Sequence, residues 1–200
     1  MGRKSINRER KELTPKAKDW VRQLVPLLQD QPLEKLTLDE IAELIGKSKS
    51  TIYTYFSTKE EIYHTAVQLV LNDMMFVVSP QAIQGENMEI VLRKMLYKIS
   101  EGIEKISISF LEQIQLNFPE IWTTIQIFTD KLLANFEIIY TEGMADGIFR
   151  SVSVQLLLAM DKHFIMSIMT DTNQFNAQGM TLKDLVQEYL ELRLHALKNT

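Results

Sequence analysis

An all-helical fold is the class this sequence predicts, and three observations predict it. Long stretches repeat apolar residues at intervals of three and four, with none of the strict alternation that marks a strand. Proline and glycine are sparse and stand between those stretches, at Pro15, Pro32, Pro80 and Pro119 and at Gly85, Gly143, Gly147 and Gly179. Helix starts are marked by Thr or Ser, often with an acid three residues later, the spacing by which a side chain and a backbone N–H cap each other.

Taken in order, LTLDEIAELIG reads as a short helix. Thr37 and Glu40 form a capping box, Leu36 and Ile41 can form a hydrophobic staple, and Ile41, Leu44 and Ile45 share a face. Gly46 stops it, and Ser48 is placed to cap a second helix through Phe56, so the pair has the pattern of a helix-turn-helix. A longer helix runs from Thr58 to Val78, with Thr58 and Glu61 at capping-box spacing. Further helices are expected from Met88 to Ile106, Glu120 to Glu142, Val152 to Thr170 and Thr181 to Leu197, the last behind a second box of Thr181 and Asp184. Residues 152–170 are apolar almost all round and residues 181–197 carry more apolar surface than one stripe needs. Such helices line either an internal core or a face between two copies of the chain.

Composition narrows the classes of function. With 46% hydrophobic and 24% charged residues, the chain of 200 is that of an ordinary globular protein of one or two domains. The absence of cysteine excludes disulfides, thiolate metal sites and thiol catalysis. The start, MGRKSINRERKEL, lacks an apolar leader core, and no stretch approaches the roughly 18 apolar residues of a membrane span, so a cytoplasmic protein with no membrane partner is expected. No enzyme is expected either. The histidines are His64, His163 and His195, no HExxH motif or glycine-rich phosphate loop is present, and Glu60 and Glu61 read as first-turn acids on a helix dipole. Neither a cofactor nor a metal is implied.

Charge is distributed unevenly. The net charge is −4, yet the first 65 residues hold 12 Lys and Arg against 10 acids, and the first 18 hold 7 against 2. A basic arm on an acidic body fits a nucleic-acid partner at one end, or a solvated tail. GKSKSTIYTYF, residues 46–56, concentrates the signal: two lysines, two serines, two threonines and three aromatics, with no acid. A phosphate-binding P-loop is excluded because Ile41 stands where its first glycine belongs. Ile52, Tyr55 and Phe56 can face inward, leaving Lys49, Ser50, Thr51, Tyr53 and Thr54 outward. A cationic, hydroxylated face suits a helix in a DNA major groove, where Lys can donate to guanine and a tyrosine hydroxyl can reach phosphate. Lys59, at the next helix start, adds a cation beside backbone N–H groups that can themselves bind phosphate.

The run LTLDEIAELIGKSKSTIYTYFSTKEEIY, Leu36 to Tyr63, resembles the DNA-binding signature of the tetracycline-repressor (TetR) family. The likeness lies in an Ile-Ala helix, a Gly turn, a Ser-Lys start to the recognition helix, an aromatic end to it and a Lys-Glu-Glu opening of the next helix. GMADGIFR, Gly143 to Arg150, is similar to a connection between late helices of that family. The resemblance implies a first helix from about Pro15 to Gln29; Pro26 inside it should kink or shorten it. It implies a three-helix DNA-binding domain with a basic arm over residues 1–62, and a helical effector-binding and dimerisation domain over residues 63–200. It places Thr37, Tyr55 and Lys59 at phosphates and Lys49, Ser50, Thr51 and Tyr53 at bases or nearby phosphates, which with the capping Ser48 form the expected DNA-binding set. Lys47, Ser50 and Pro32 depart from the family pattern.

On this reading the protein is a ligand-responsive regulator, expected to be a repressor. It binds a palindromic double-stranded DNA operator as a homodimer through residues 152–170 and 181–197, and a small-molecule effector releases it. The alternative is a TetR-like co-regulator that has lost operator binding and contacts another protein. Polar and aromatic groups on the apolar helices supply candidates for the effector pocket: Tyr97, Phe110, Gln113, Asn117, Trp122, Gln126, Tyr140 and His163. Each is equally a residue that a packed core would hold.

Overall fold

The computed structural model describes residues 10–75, 83, 85–104, 106–170 and 181–199. Most of the expected basic arm, the end of the helix expected to reach Val78, and the punctuating Pro80 and Gly179 lie outside the described residues. Among the described residues the regular structure is helical: α1 (Pro15–Arg22), α2 (Leu24–Leu28), α3 (Leu38–Leu44), α4 (Lys49–Tyr55), α5 (Lys59–Met74), α6 (Met88–Ile103), α7 (Ile108–Asn117), α8 (Pro119–Ala145), α9 (Val154–Thr170) and α10 (Leu182–Leu197).

Local chemistry sets most of these limits. Thr14 caps α1 by accepting from the Ala17 N–H at 3.1 Å, and Pro15 takes the first helical position, where no N–H is needed. The helix expected to reach Gln29 is divided at Gln23. Pro26 has no N–H to give to the Arg22 carbonyl, so the hydrogen-bond ladder is interrupted where α1 ends and α2 begins. Capping boxes at Thr37–Glu40 and Thr181–Asp184 are both formed. α5 stops at Met74, short of Val78, because Met75 turns extended. α7, which the spacing did not single out, begins where Ser107 accepts from the Phe110 N–H at 3.1 Å.

One apolar core runs from Ala17 to Leu197. α5 is its spine, with α1 and α2 against one part and α6 and α8 against another, while α8 also carries α7 and α9, and α10 lies on α6. The turn after α8 is fixed by a close approach: the Phe149 ring lies where a Cβ on Gly143 would come within 2.2 Å of it. The Arg150 N–H then donates to the Leu197 carbonyl at 3.0 Å, tying the turn to the end of α10.

Leu33, wholly buried, joins the amino-terminal helices to the rest. Its N–H donates to Gln113 Oε1 on α7 at 2.9 Å, while Gln113 Nε2 donates to the Gln31 carbonyl at 3.0 Å. Its carbonyl accepts from the Tyr63 hydroxyl and from Lys59 Nζ, each at 3.2 Å, both on α5. Ser107 closes the same seam, its N–H on Gln29 Oε1 and its hydroxyl on the Gln29 carbonyl at 3.3 Å.

A second polar knot lies inside the helical body. Asp161 on α9 is 2% exposed and faces Arg193 on α10, with Nη2 at 2.5 Å and Nε at 3.0 Å from Oδ1. Tyr189 donates to the same oxygen at 2.6 Å, and Tyr140 on α8 donates to Oδ2 at 2.9 Å. Burial raises both tyrosines above the ordinary phenol range, and the Asp161 charge and hydrogen bonds add to the effect. Phe164 stacks on Tyr189 with ring centroids 3.8 Å apart.

Both knots can be tested by stranding one partner. Arg193→Met, which strands a buried carboxylate, should cost about 3–5 kcal/mol in urea unfolding, and adding Asp161→Leu should recover part of that loss. Gln113→Leu, which strands the Leu33 N–H, should cost about 1–3 kcal/mol in the same measurement.

Candidate nucleic-acid interface and internal cavity

The helix-turn-helix is built by its caps. α3 ends with Ile45 at its carboxyl cap and Gly46 at φ +61°, the left-handed conformation in which a Cβ is unfavourable. The Gly46 N–H donates to the Glu43 carbonyl at 3.0 Å and the Lys47 N–H to the Ala42 carbonyl at 2.8 Å, the paired bonds of a Schellman turn. Lys47, partly buried, therefore occupies a turn position where an apolar stem is useful. Ser48 then starts α4 by accepting from the Thr51 N–H at 3.2 Å.

Ile52 and Phe56 anchor α4 inward, and Trp20 of α1 packs against both Phe56 and Tyr55, with centroids 6.1 and 6.2 Å apart. Tyr55 is thus half-buried against α1. Ser48, Lys49, Ser50 and Tyr53 are exposed, and Thr51 is partly so. Ser48 Oγ lies 2.9 Å from Ser50 Oγ and 2.8 Å from Thr51 Oγ1, forming one hydroxyl cluster at the amino end of α4. Thr37 is exposed and engaged with Glu40, whose carboxyl is held below its usual range by the Thr37 N–H and hydroxyl.

Two cations of the expected set have partners inside the chain. Lys49 Nζ is ion-paired with Asp39 of α3, and that contact holds the ammonium above its usual range. The outward face, acid-free when α4 is read by itself, gains an acid once α3 packs beside it. Lys59 Nζ donates to the Leu33 and Glu34 carbonyls, so it braces the turn before α3. The described end of the basic arm also reaches this region: Arg10 Nε donates to Ser57 Oγ at 2.8 Å, Arg10 Nη1 to the Tyr53 carbonyl, and the Lys11 N–H to the Thr54 carbonyl at 3.1 Å. Sequence reasoning missed Arg10 and Asp39, although the charge excess near Arg10 pointed in its direction.

The helical body encloses a cavity of about 110 Å³ bounded by α2, α5, α6, α7, α8, α9 and α10. Its walls are aliphatic and aromatic apart from Thr129, Asp161 and Tyr189. Of the eight pocket candidates, Phe110 alone lines it. Tyr140 lies one bond behind, on Asp161, and Gln113 is taken up by the Leu33 seam. Asn117 is exposed and bonds to the Gln113 carbonyl at 3.1 Å. Tyr97, Gln126 and His163 are exposed and Trp122 is partly buried, all away from the cavity. Asp161 and Arg193 were missed, although two ionisable residues within otherwise apolar helices were a readable signal.

Comparison with known proteins supplies an independent line. Residues 25–66 match the sequence model of bacterial regulatory proteins of the tetR family. The chain is 21% identical over 126 residues to the uncharacterized HTH-type transcriptional regulator YvaF of Bacillus subtilis (strain 168); the match spans 62% of this chain and 66%, just under two thirds, of that protein. Its fold is similar to that of the TetR family transcriptional regulator PfmR from Thermus thermophilus, at 19% identity and a TM-score of 0.61 over 94% of this chain and 99% of that one. It is likewise similar to the fatty acid degradation regulator FadR from Bacillus halodurans, at 18% identity and a TM-score of 0.61 over 92% and 97%. A capped helix pair turned at Gly46, a matched amino-terminal segment and a fold shared along nearly the whole chain converge: residues 25–66 carry the helix-turn-helix segment described by the tetR family model, on a chain whose fold is similar to that of TetR family regulators.

Proposed function

We propose that the protein is a ligand-responsive repressor that binds a palindromic DNA operator as a homodimer and is released when an effector occupies its internal cavity. Residues 1–62 bind DNA in this reading, residues 63–200 hold the effector and dimerise, and α5 spans both. The observation that carries it is the shared wall of the cavity: Val25 of α2 and Val67, Val70 and Leu71 of α5 line the same space as α8, α9 and α10. An occupant would touch α2 and α5, against which α1 packs, and α1 in turn meets the end of α4 through Trp20. Its leverage equals the difference between its affinities for two dimer geometries, in only one of which the paired α4 helices are about 34 Å apart.

Dimerisation has support in α9. Leu156 and Met160 are 59% and 50% exposed, and with the half-buried Phe164 they form an outward apolar stripe at intervals of four. On α10 the outward positions are mostly charged, around an isolated Leu192 at 71% exposure. α9 therefore supplies the apolar part of the interface and α10 its rim.

The alternative, a co-regulator without an operator, is favoured by the engagement of Lys49 with Asp39 and of Lys59 with backbone carbonyls. The two readings separate on DNA binding. In the repressor reading the Lys49–Asp39 pair opens at the operator, so Asp39→Asn should tighten binding to fragments of the chain's own upstream DNA several-fold and steepen the loss of affinity with salt by about one unit of log–log slope. No mobility shift by the wild type or the variant at low salt would favour the co-regulator instead. Met160→Glu should convert a dimer to a monomer in light scattering and weaken operator binding with it. A wild type that is already monomeric at micromolar concentration would defeat the dimer.

A further inference from the structure

We infer that the internal cavity accepts a compact, uncharged, largely hydrocarbon ligand, about one aromatic ring or a short alkyl chain in size, and rejects ligands that bring a charged group inside. The inference deepens the ligand-responsive reading above, on which it rests, by naming the chemical class of the effector.

Size is the first argument. A cavity of about 110 Å³ is somewhat smaller than the roughly 150 Å³ apolar void in which benzene binds and water does not. A lining made mostly of residues such as Ile99, Phe110, Leu132 and Ile168 gives water few partners, so apolar contact is what the space chiefly offers a ligand.

The polar groups at its edge are the second argument, because each is already committed. The Thr129 hydroxyl donates to the Ile125 carbonyl of its own helix at 3.1 Å. Tyr189 donates to Asp161 at 2.6 Å and accepts from Arg193 at 2.7 Å. Arg193, the cation of this cluster, directs Nε and Nη2 to Asp161, Tyr189 and the Leu157 carbonyl, the last at 3.3 Å, and does not line the cavity. Among the described residues no buried side-chain nitrogen or oxygen lacks a partner. An entering carboxylate would lose its water, find no free donor among the side chains that line the cavity and meet the Asp161 charge. An entering ammonium would have to compete with Arg193 and two tyrosine hydroxyls for the same carboxylate. Either one bears the full desolvation cost of a buried charge, whereas a hydrocarbon bears none.

The test compares toluene, benzoate and benzylammonium, one ring carrying no charge, a negative charge or a positive charge, on the full chain. Toluene at about one hundred times its dissociation constant should raise the unfolding temperature by on the order of 5–10 °C, while the two ions at equal concentration leave it unchanged. Leu132→Phe and Val186→Phe, which fill the cavity from different helices, should each abolish the toluene shift; one folded variant is enough. Benzoate or benzylammonium matching toluene would overturn the inference, as would a toluene shift that survives in a folded cavity-filled variant. A mobility-shift assay separates it from the parent reading. Toluene that binds in the cavity without changing DNA binding upholds the ligand class and sinks the regulatory role; release from DNA by benzoate, with no toluene binding, does the reverse.

Discussion

The peptide unit around Leu33 is the constraint on which the rest of the structure depends. A buried amide and carbonyl must both find partners, because water cannot reach them. Here the amide goes to α7 through Gln113 and the carbonyl to α5 through Tyr63 and Lys59. The short helices before Leu33 and the pair α3–α4 after it are thereby held against a body to which apolar packing, the Gln29–Ser107 bonds and the Arg22–Asp73 ion pair also tie them. Apolar contact is non-directional and lets elements slide. Hydrogen bonds with fixed partners set a register, so a rotation of α7 or α5 is transmitted to the turn that positions α3.

The same logic explains the Asp161 knot. α8, α9 and α10 are rich in interchangeable aliphatic side chains and could pack in several registers. One carboxylate that must meet Arg193, Tyr189 and Tyr140 together is satisfied in one of them. Such a buried pair adds little net stability over a good apolar replacement, and its contribution here is to select an arrangement. It also forms the polar edge of an otherwise hydrocarbon cavity.

How much of this was legible in the sequence depended on the range of the interaction. Capping at Thr37, Ser48 and Thr181, the turn at Gly46 and the break caused by Pro26 act within four residues, and all are readable from residue type and spacing. The helix-turn-helix and its inward anchors were read on that basis. The partners of polar side chains were not, because helical spacing assigns a face to each residue but does not say what packs against it. Gln113 resembled a pocket residue and is bonded to a loop about eighty positions earlier in the chain. Lys49 resembled a free cation, and the acid beside it comes from a different helix. α7 went unmarked since its ten residues lie between Ser107 and Pro119 with no glycine to set them off.

The Lys49–Asp39 pair has a bearing on time as well as on strength. A protein searching a genome spends most of its contacts on wrong sequences, and a free ammonium would cling to each phosphate it passed. If Lys49 meets DNA as proposed, Asp39 offers it a standing alternative partner to each backbone phosphate. In the operator-binding reading, residence at random sites is shortened, while at the right groove the surrounding hydroxyls of Ser48, Ser50 and Thr51 must make exchange of partners worthwhile. The carboxylate then sets how quickly the molecule lets go.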